Sequence, residues 1–191
     1  LAAPLKSYLR SFPEVTLHLE FARVNRIYDD VGRGDIDLGI VAYPRKRSTI
    51  LVTPLREDHL VLICAPQHSL ARFHHLSIKE LNGEKLIGFE RGIPTRHALD
   101  KILRQHGVRM PYVMEVDNIE TIKRAVEIES GIAIVPEPCI SQEVKSGSLK
   151  IIHFEDLVIR RPLGLISKRG RPYSPAIQNF VEFLTEKAPS L

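Results

Sequence analysis

Residues 112–147, YVMEVDNIETIKRAVEIESGIAIVPEPCISQEVKSG, constrain the fold more than any other stretch. They open on an alternating apolar run over 112–116, the pattern of a half-buried strand. Ile119, Ile122 and Val126 then recur at helical spacing, and Glu120 with Arg124 and Lys123 with Glu127 make opposite-charge pairs four apart on the other face. Asp117 or Asn118 is placed to cap this helix, and Glu120 stands three after Asp117, as a capping box asks. Gly131 is positioned as the C′ glycine, and the run 132–135, stopped by Pro136 and Pro138, reads as a buried strand. A strand–helix–strand unit this short predicts a parallel pair. It also sets Asn118 and Thr121 at a helix N-terminus beyond the carboxyl end of a strand, where open α/β sheets bind ligands.

The rest of the chain follows the same grammar. Leu1, Leu5, Tyr8, Leu9 and Phe12 form a helical stripe that Pro13 stops. Residues 15–21 alternate and predict a strand. Val24, Ile27, Tyr28 and Val31 predict a short helix ended by Gly32 and Gly34, and 36–42 a buried strand closed by Tyr43-Pro44. These make a second strand–helix–strand unit, so two α/β halves are expected. Residues 50–55 and 59–65 read as strands around a polar turn, Arg56-Glu57-Asp58. Ser77 with Glu80 is a capping box, 86–89 a strand, and Leu99, Ile102, Leu103 and His106 a helical face capped by Gly107. Residues 140–144 make a short helix, and 149–154 and 158–167 strands. Ser174-Pro175 opens a last helix with Ile177, Phe180, Val181 and Leu184 on its apolar face.

The composition excludes several classes. The 191 residues are 43% hydrophobic and 26% charged, enough for a genuine core. No apolar run approaches the roughly 20 residues of a membrane span, and no export signal is seen, so a cytoplasmic location is expected. The chain opens on Leu1 rather than Met and is read as a fragment or a processed chain. Net charge is +4, and the basic clusters Arg45-Lys46-Arg47, Arg160-Arg161 and Lys168 to Arg171 lack interleaved aromatics, so they read as solvated loop charge. Cys64 and Cys139 read as reduced core thiols. No G-x-G-x-x-G, Walker A loop, G-x-S-x-G, H-E-x-x-H or C-x-x-C occurs. No enzymatic activity, catalytic residue, metal or cofactor is therefore expected.

Five stretches carry a resemblance: LAAPLKSYLRSFPEVTLHLE, GRGDIDLGIV, PLREDHLVLICAPQHSLA, VDNIETIKRAVEIESGIAIVPE and SPAIQNFVEFL. Together and in this order they resemble the effector-binding domain of LysR-type transcriptional regulators, over nearly the whole chain. The resemblance implies an α/β fold of two Rossmann-like subdomains with a central cleft, like type 2 periplasmic binding proteins. Subdomain I would be 1–65 plus 162–191 and subdomain II 66–161, with crossovers near Ala65-Pro66 and Arg161-Pro162. The family's first strand, its ligand loop and its winged helix-turn-helix would lie outside this chain, so DNA is bound by the parent protein. A homodimer or tetramer is implied, with the helix at 2–12 of one copy beside 119–130 of the next through Leu5, Leu9, Ile122 and Val126. A solute-binding protein of a transport system is the alternative on the same fold.

In such a fold three helix N-termini face the cleft: Pro94, Thr95 and Arg96 at one, Asn118 and Thr121 at another, and Arg23 to Asn25 at the third. Free N–H groups and the positive end of a helix dipole suit a carboxylate or phosphate, and an arginine can grip one with two bonds. The effector is therefore expected to be a small anionic metabolite. Ala42 and Tyr43 would wall the cleft, Pro66 and His68 mark the hinge, and Pro136 with Glu137 form the floor. Asn118, Thr121 and Arg96 are as readily explained as a cap, a first-turn residue and a solvent-facing side chain.

Overall fold

The structure, a computed structural model, describes residues 2–187. In chain order it comprises α1 (Ala2–Ser11), α2 (Val24–Arg33), β1 (Leu38–Ala42), β2 (Ile50–Cys64), β3 (His75–Leu76), β4 (Leu86–Phe89), α3 (Pro94–Gln105), β5 (Tyr112–Val116), α4 (Ile119–Glu127), β6 (Ala133–Pro136), α5 (Ser141–Ser146), β7 (Lys150–Phe154), β8 (Ile159–Lys168) and α6 (Pro175–Lys187). Short 3₁₀ turns lie at Ser69–Arg72, Ile78–Leu81 and Glu137–Cys139. Leu1, part of the predicted first stripe, falls outside the described residues.

The chain divides into two units, one running to Glu57 and resuming at Pro162, the other covering Asp58–Arg161. The first boundary is not at Ala65-Pro66 as expected. Residues 60–64 pair with β6 and β7, which commits them to the second unit. The turn expected at Arg56-Glu57-Asp58 does not form either, and β2 runs unbroken through it.

In the first unit, β1 pairs antiparallel with β8, from Leu38 opposite Ser167 to Ala42 opposite Leu163. Tyr28, Val31, Val41, Ile50 and Ile166 form its core. Tyr8 is fully buried and packs its ring against Phe12, Phe180 and Phe183, at 4.7, 4.8 and 5.3 Å between centroids, which seats α1 on α6. Two basic clusters do more than face water. Lys168 Nζ and Arg171 Nη1 donate to the carbonyls of Arg33 and Gly34, at 3.1 and 3.3 Å, and so complete the C-terminus of α2. Arg47 bonds Asp29 at 2.8 Å and lies over the ring of Tyr28. Residues 15–21 form no strand among the described residues, and Leu19 and Phe21 are exposed. The strand–helix–strand unit expected here is therefore not formed within them.

In the second unit, β2 pairs antiparallel with both β6 and β7, and β3 pairs parallel with β7. Leu60, Leu62 and Cys64 point into one apolar cluster and Val61 and Ile63 into another, so β2 is buried on both faces. β4 pairs parallel with β5, from Leu86 opposite Tyr112 to Phe89 opposite Val116. Leu86 also bridges Ile132 in parallel, so β4 lies between β5 and the lead into β6. The two strands of the 112–136 unit run the same way but do not pair with each other, which corrects the expected direct pair. Gly88 permits the sheet's packing on Tyr112, because a Cβ there would stand 2.3 Å from the ring. The left-handed residue after α4 is Glu129, at φ 59°, not Gly131. Gly131 is required instead by the carbonyl of Lys85, 2.7 Å from where its Cβ would lie.

Charge is buried between α4 and α5. Lys123 is 5% exposed, and its Nζ bonds Glu120 at 2.8 Å, Glu143 at 2.9 Å and the carbonyl of Cys139 at 3.2 Å. These pairs replace the i,i+4 pairs the sequence predicts, and Arg124 likewise turns to Glu127 three residues on. Burial alone would raise the Glu143 carboxyl, but the hydrogen bond from Lys123, a backbone hydrogen bond and the positive charges of Lys123 and Arg124 together outweigh it and hold the group below its ordinary value of 4.5. A carboxyl lowered in the folded state adds stability above its unfolded pKa and loses it as the pH falls through the folded one. Urea titrations from neutral pH downward are expected to show stability falling below pH 4.5. Glu143→Gln is expected to be less stable at neutral pH and to lose less on acidification; an unchanged acid dependence would refute this role.

Candidate functional site

The carboxyl ends of β4 and β5 lie level, and the chain leaves each of them into a helix. The 90–93 loop follows β4 into α3, and Asp117-Asn118 follows β5 into α4. The amide of Glu90 donates to the carbonyl of Val116 at 2.9 Å and ties the two exits together. The N-termini of α3 and α4 therefore stand at the carboxyl edge of one parallel pair, the ligand position of open α/β sheets. Pro94 is the first residue of α3, where its missing N–H costs nothing.

Thr95 is 2% exposed. Its hydroxyl accepts from Arg161 Nε at 3.3 Å, and Arg161 Nη1 donates to Asp58 at 2.8 Å. Asp58 is itself only 4% exposed. β2 supplies the acid, β8 the arginine and α3 the hydroxyl, so three elements meet at the N-terminus of α3. Neither Arg161 nor Asp58 is marked out by the sequence. Asp58 sits in an apparent turn and Arg161 in an apparent loop cluster, 103 positions apart. Only the pairing of strands distant in sequence brings them together.

Arg96 does not reach for a ligand. It is 5% exposed and held by partners inside its own unit. Nε bonds both oxygens of Asp100 at 3.0 and 2.8 Å, Nη1 donates to the carbonyl of Phe89 at 2.7 Å, and Glu115 lies 3.5 Å away. The guanidinium also lies over the ring of Tyr112, 3.3 Å from its centroid, and the Tyr112 hydroxyl donates to Asp100 at 2.6 Å. Both the carboxylate grip and the solvent-facing alternative are thereby corrected. Burial first, then the bond to Asp100, pushes the Tyr112 phenol far above its usual range.

Asn118 caps α4: its Oδ1 accepts from the amide of Thr121 at 2.8 Å and from the Thr121 hydroxyl at 3.0 Å. Both residues are exposed. His68 also acts as a cap, its Nδ1 accepting from the amide of Leu70 at 3.2 Å, beside half-buried Pro66. Pro136 is buried opposite Leu60, and Glu137 lies 3.4 Å from His153. In the first unit, Ala42 pairs with Leu163, while Tyr43 holds a left-handed backbone at φ 51° and donates its amide to Pro162 at 2.8 Å. Such a conformation costs a non-glycine residue of order 1 kcal/mol. Arg23 precedes α2 without a side-chain cap bond. Ile122 and Val126 are fully buried in the second unit's core, so they offer no surface to another chain. Neither Cys64 nor Cys139 is in a disulfide, and burial pushes Cys64 up to about 11, which suppresses the reactive thiolate.

The family model for the LysR substrate binding domain matches residues 1–189. The chain belongs to that family. A probable RuBisCO transcriptional regulator of Cyanophora paradoxa is 30% identical over 181 residues, 92% of this chain and 56% of that protein. A protein of the same description from Synechocystis sp. is 31% identical over 180 residues, 91% of this chain and 52% of its own length. The chain thus spans about half the length of the curated relatives it matches. The Synechocystis PCC6803 CcmR regulatory domain in complex with 2-PG superposes with a TM-score of 0.88 at 24% identity, covering 100% of this chain and 91% of that one. The effector binding domain of QuiR in complex with shikimate gives 0.86 at 19%, covering 99% and 90%. The fold is that of the LysR substrate-binding domain, a mixed α/β, type 2 periplasmic-binding-protein-like architecture.

Arg96→Lys keeps the charge but loses the planar fork and the stack on Tyr112. It is expected to lower unfolding stability by about 1–3 kcal/mol in urea, since buried charge-assisted bonds are lost. Anion affinity measured on the folded protein should stay within twofold, at roughly wild-type level. A large affinity loss at full stability would restore Arg96 as a ligand-binding residue.

Proposed function

We propose that this chain is the effector-sensing domain of a transcription regulator whose DNA-binding part lies outside it, and that its effector is a small carboxylate or phosphate. The observation that carries this reading is the cluster of Thr95, Arg161 and Asp58 at the N-terminus of α3. Helix amides and a guanidinium there supply positive potential, and the Thr95 hydroxyl can turn from accepting to donating toward an oxyanion. Asp58 holds Arg161 in place and restrains its charge, so the site favours a ligand able to compete for the remaining guanidinium donors. The 2-PG of the CcmR domain and the shikimate of QuiR carry such groups, which supports the same class here. Tyr43 and Ala42, at the carboxyl end of β1, are proposed as further ligand-contacting positions, with the strained backbone of Tyr43 as support.

The parent protein is proposed to act in the cytoplasm. Among the described residues no helix is long and apolar enough to cross a membrane. The relatives are described as transcriptional regulators, which favours that reading over solute transport. Binding would shift a balance between states of the parent, provided the ligand prefers one of them.

Thermal-shift assays with 2-phosphoglycolate, shikimate and neutral analogues test the site. Ligand at a hundredfold excess over Kd adds about 2.7 kcal/mol and raises Tm. The anions are expected to do so, with Thr95→Ala and Arg161→Gln weakening the effect about tenfold. Response to neutral compounds alone, or undiminished response in both variants, would overturn the proposal.

Self-association is proposed to use α1 of one copy against α4 of another. With Ile122 and Val126 withdrawn into the core, the apolar contact falls to Leu9, 41% exposed, and Ile128, 73% exposed. Sedimentation is expected to show a dimer that Leu9→Arg converts to monomer; a wild-type monomer at micromolar concentration would exclude it.

A further inference from the structure

A groove of about 680 Å³ lies on the second unit, between the C-terminal half of α3 and residues 107–112. Leu103, Val108 and Met110 line it, at 5, 5 and 9% exposed, together with the ring of Tyr112. These residues close the apolar cluster from outside. The wall is fixed, because Tyr112 is held between Gly88 and the guanidinium of Arg96. Asp100 also faces the groove, but its carboxylate is already bonded by Arg96 and by the Tyr112 hydroxyl.

Two cations on the rim are uncommitted. Arg104 and Arg109 are exposed, and neither side chain has a hydrogen bond, ion pair or ring contact among the described residues. Arg104 is not needed to finish its helix. The carbonyls of Ile102, Leu103 and Arg104 accept from the amides of His106, Val108 and Gly107 at 3.1, 2.9 and 3.1 Å. An apolar floor under two unpaired guanidinium groups is complementary to an anion with an apolar body. The volume favours a small molecule, since pockets for drug-sized ligands measure roughly 300–1,000 Å³. At about 1.5 Å per residue, Arg104 stands roughly 14 Å along α3 from Thr95, so one small ligand does not span both places.

We propose that this groove is a second ligand site, taking an aromatic or branched aliphatic carboxylate or sulfonate. The acid group meets Arg104 and Arg109, and the apolar body rests on Leu103, Val108, Met110 and the Tyr112 ring. Met110 gives the floor some adaptability of shape. The site is independent of the anion site at the N-terminus of α3 and stands whether or not that reading holds.

NMR titration of the domain with 1-naphthoate tests this, with 1-naphthalenemethanol as the neutral counterpart and inorganic phosphate as the anion without an apolar body. Saturable amide shifts centred on residues 103–110 are expected for 1-naphthoate, with much weaker binding of the other two. Arg104→Gln with Arg109→Gln should weaken it about tenfold, and the paired lysine substitutions should recover most of that loss. Thr95→Ala should leave the shifts unchanged. No saturable shift in this segment, equal binding of the neutral alcohol, or loss of binding in Thr95→Ala would each overturn the proposal.

Discussion

A guanidinium taken out of water must be compensated, and the way Arg96 is compensated organises the second unit. Its partners come from its own helix through Asp100, from the end of β4 through the Phe89 carbonyl, and from β5 through Glu115 and the Tyr112 ring. With a planar fork, each partner also sets an angle. The first turn of α3 is thereby fixed against β4 and β5, and Thr95 beside it is fixed too. Lys123 does comparable work between α4 and α5, and Arg161 between β2 and β8. Each buried charge joins a helix or strand to an element it would otherwise meet only through non-directional apolar contact. The apolar clusters supply the driving force, and these ions supply the registry.

Much of this architecture is legible in the sequence, for a physical reason. Helices α2, α3, α4 and α6 are encoded by local periodicity and local caps, so Asn118 and Ser174 mark their starts as read. What fails depends on partners far away in the chain. Residues 15–21 alternate as a strand does, yet alternation does not supply a neighbouring strand. Arg56-Glu57-Asp58 has the polarity of a turn, but Asp58 is a buried strand residue because Arg161 meets it. The site shows the same division. Thr95 at a helix N-terminus is readable from Pro94 and the spacing that follows, whereas the inward direction of Arg96 depends on Asp100, Tyr112 and Glu115 together. Residue type points to Gly131 for the left-handed turn after α4, whereas the backbone gives it to Glu129.

The division at Glu57 and Arg161 bears on how the chain is made. The second unit is one uninterrupted length of sequence, whereas the first is assembled from both ends of the chain. On a ribosome, every strand and helix of the second unit has been synthesised once Arg161 has been added. α1 is made before the whole of the second unit, and Tyr8 must wait for Phe180 and Phe183, which follow that unit, before its ring is enclosed. The apolar face of α1 is thus left uncovered until α6 has been made, which makes the first unit the portion that nascent-chain chaperones would be expected to guard.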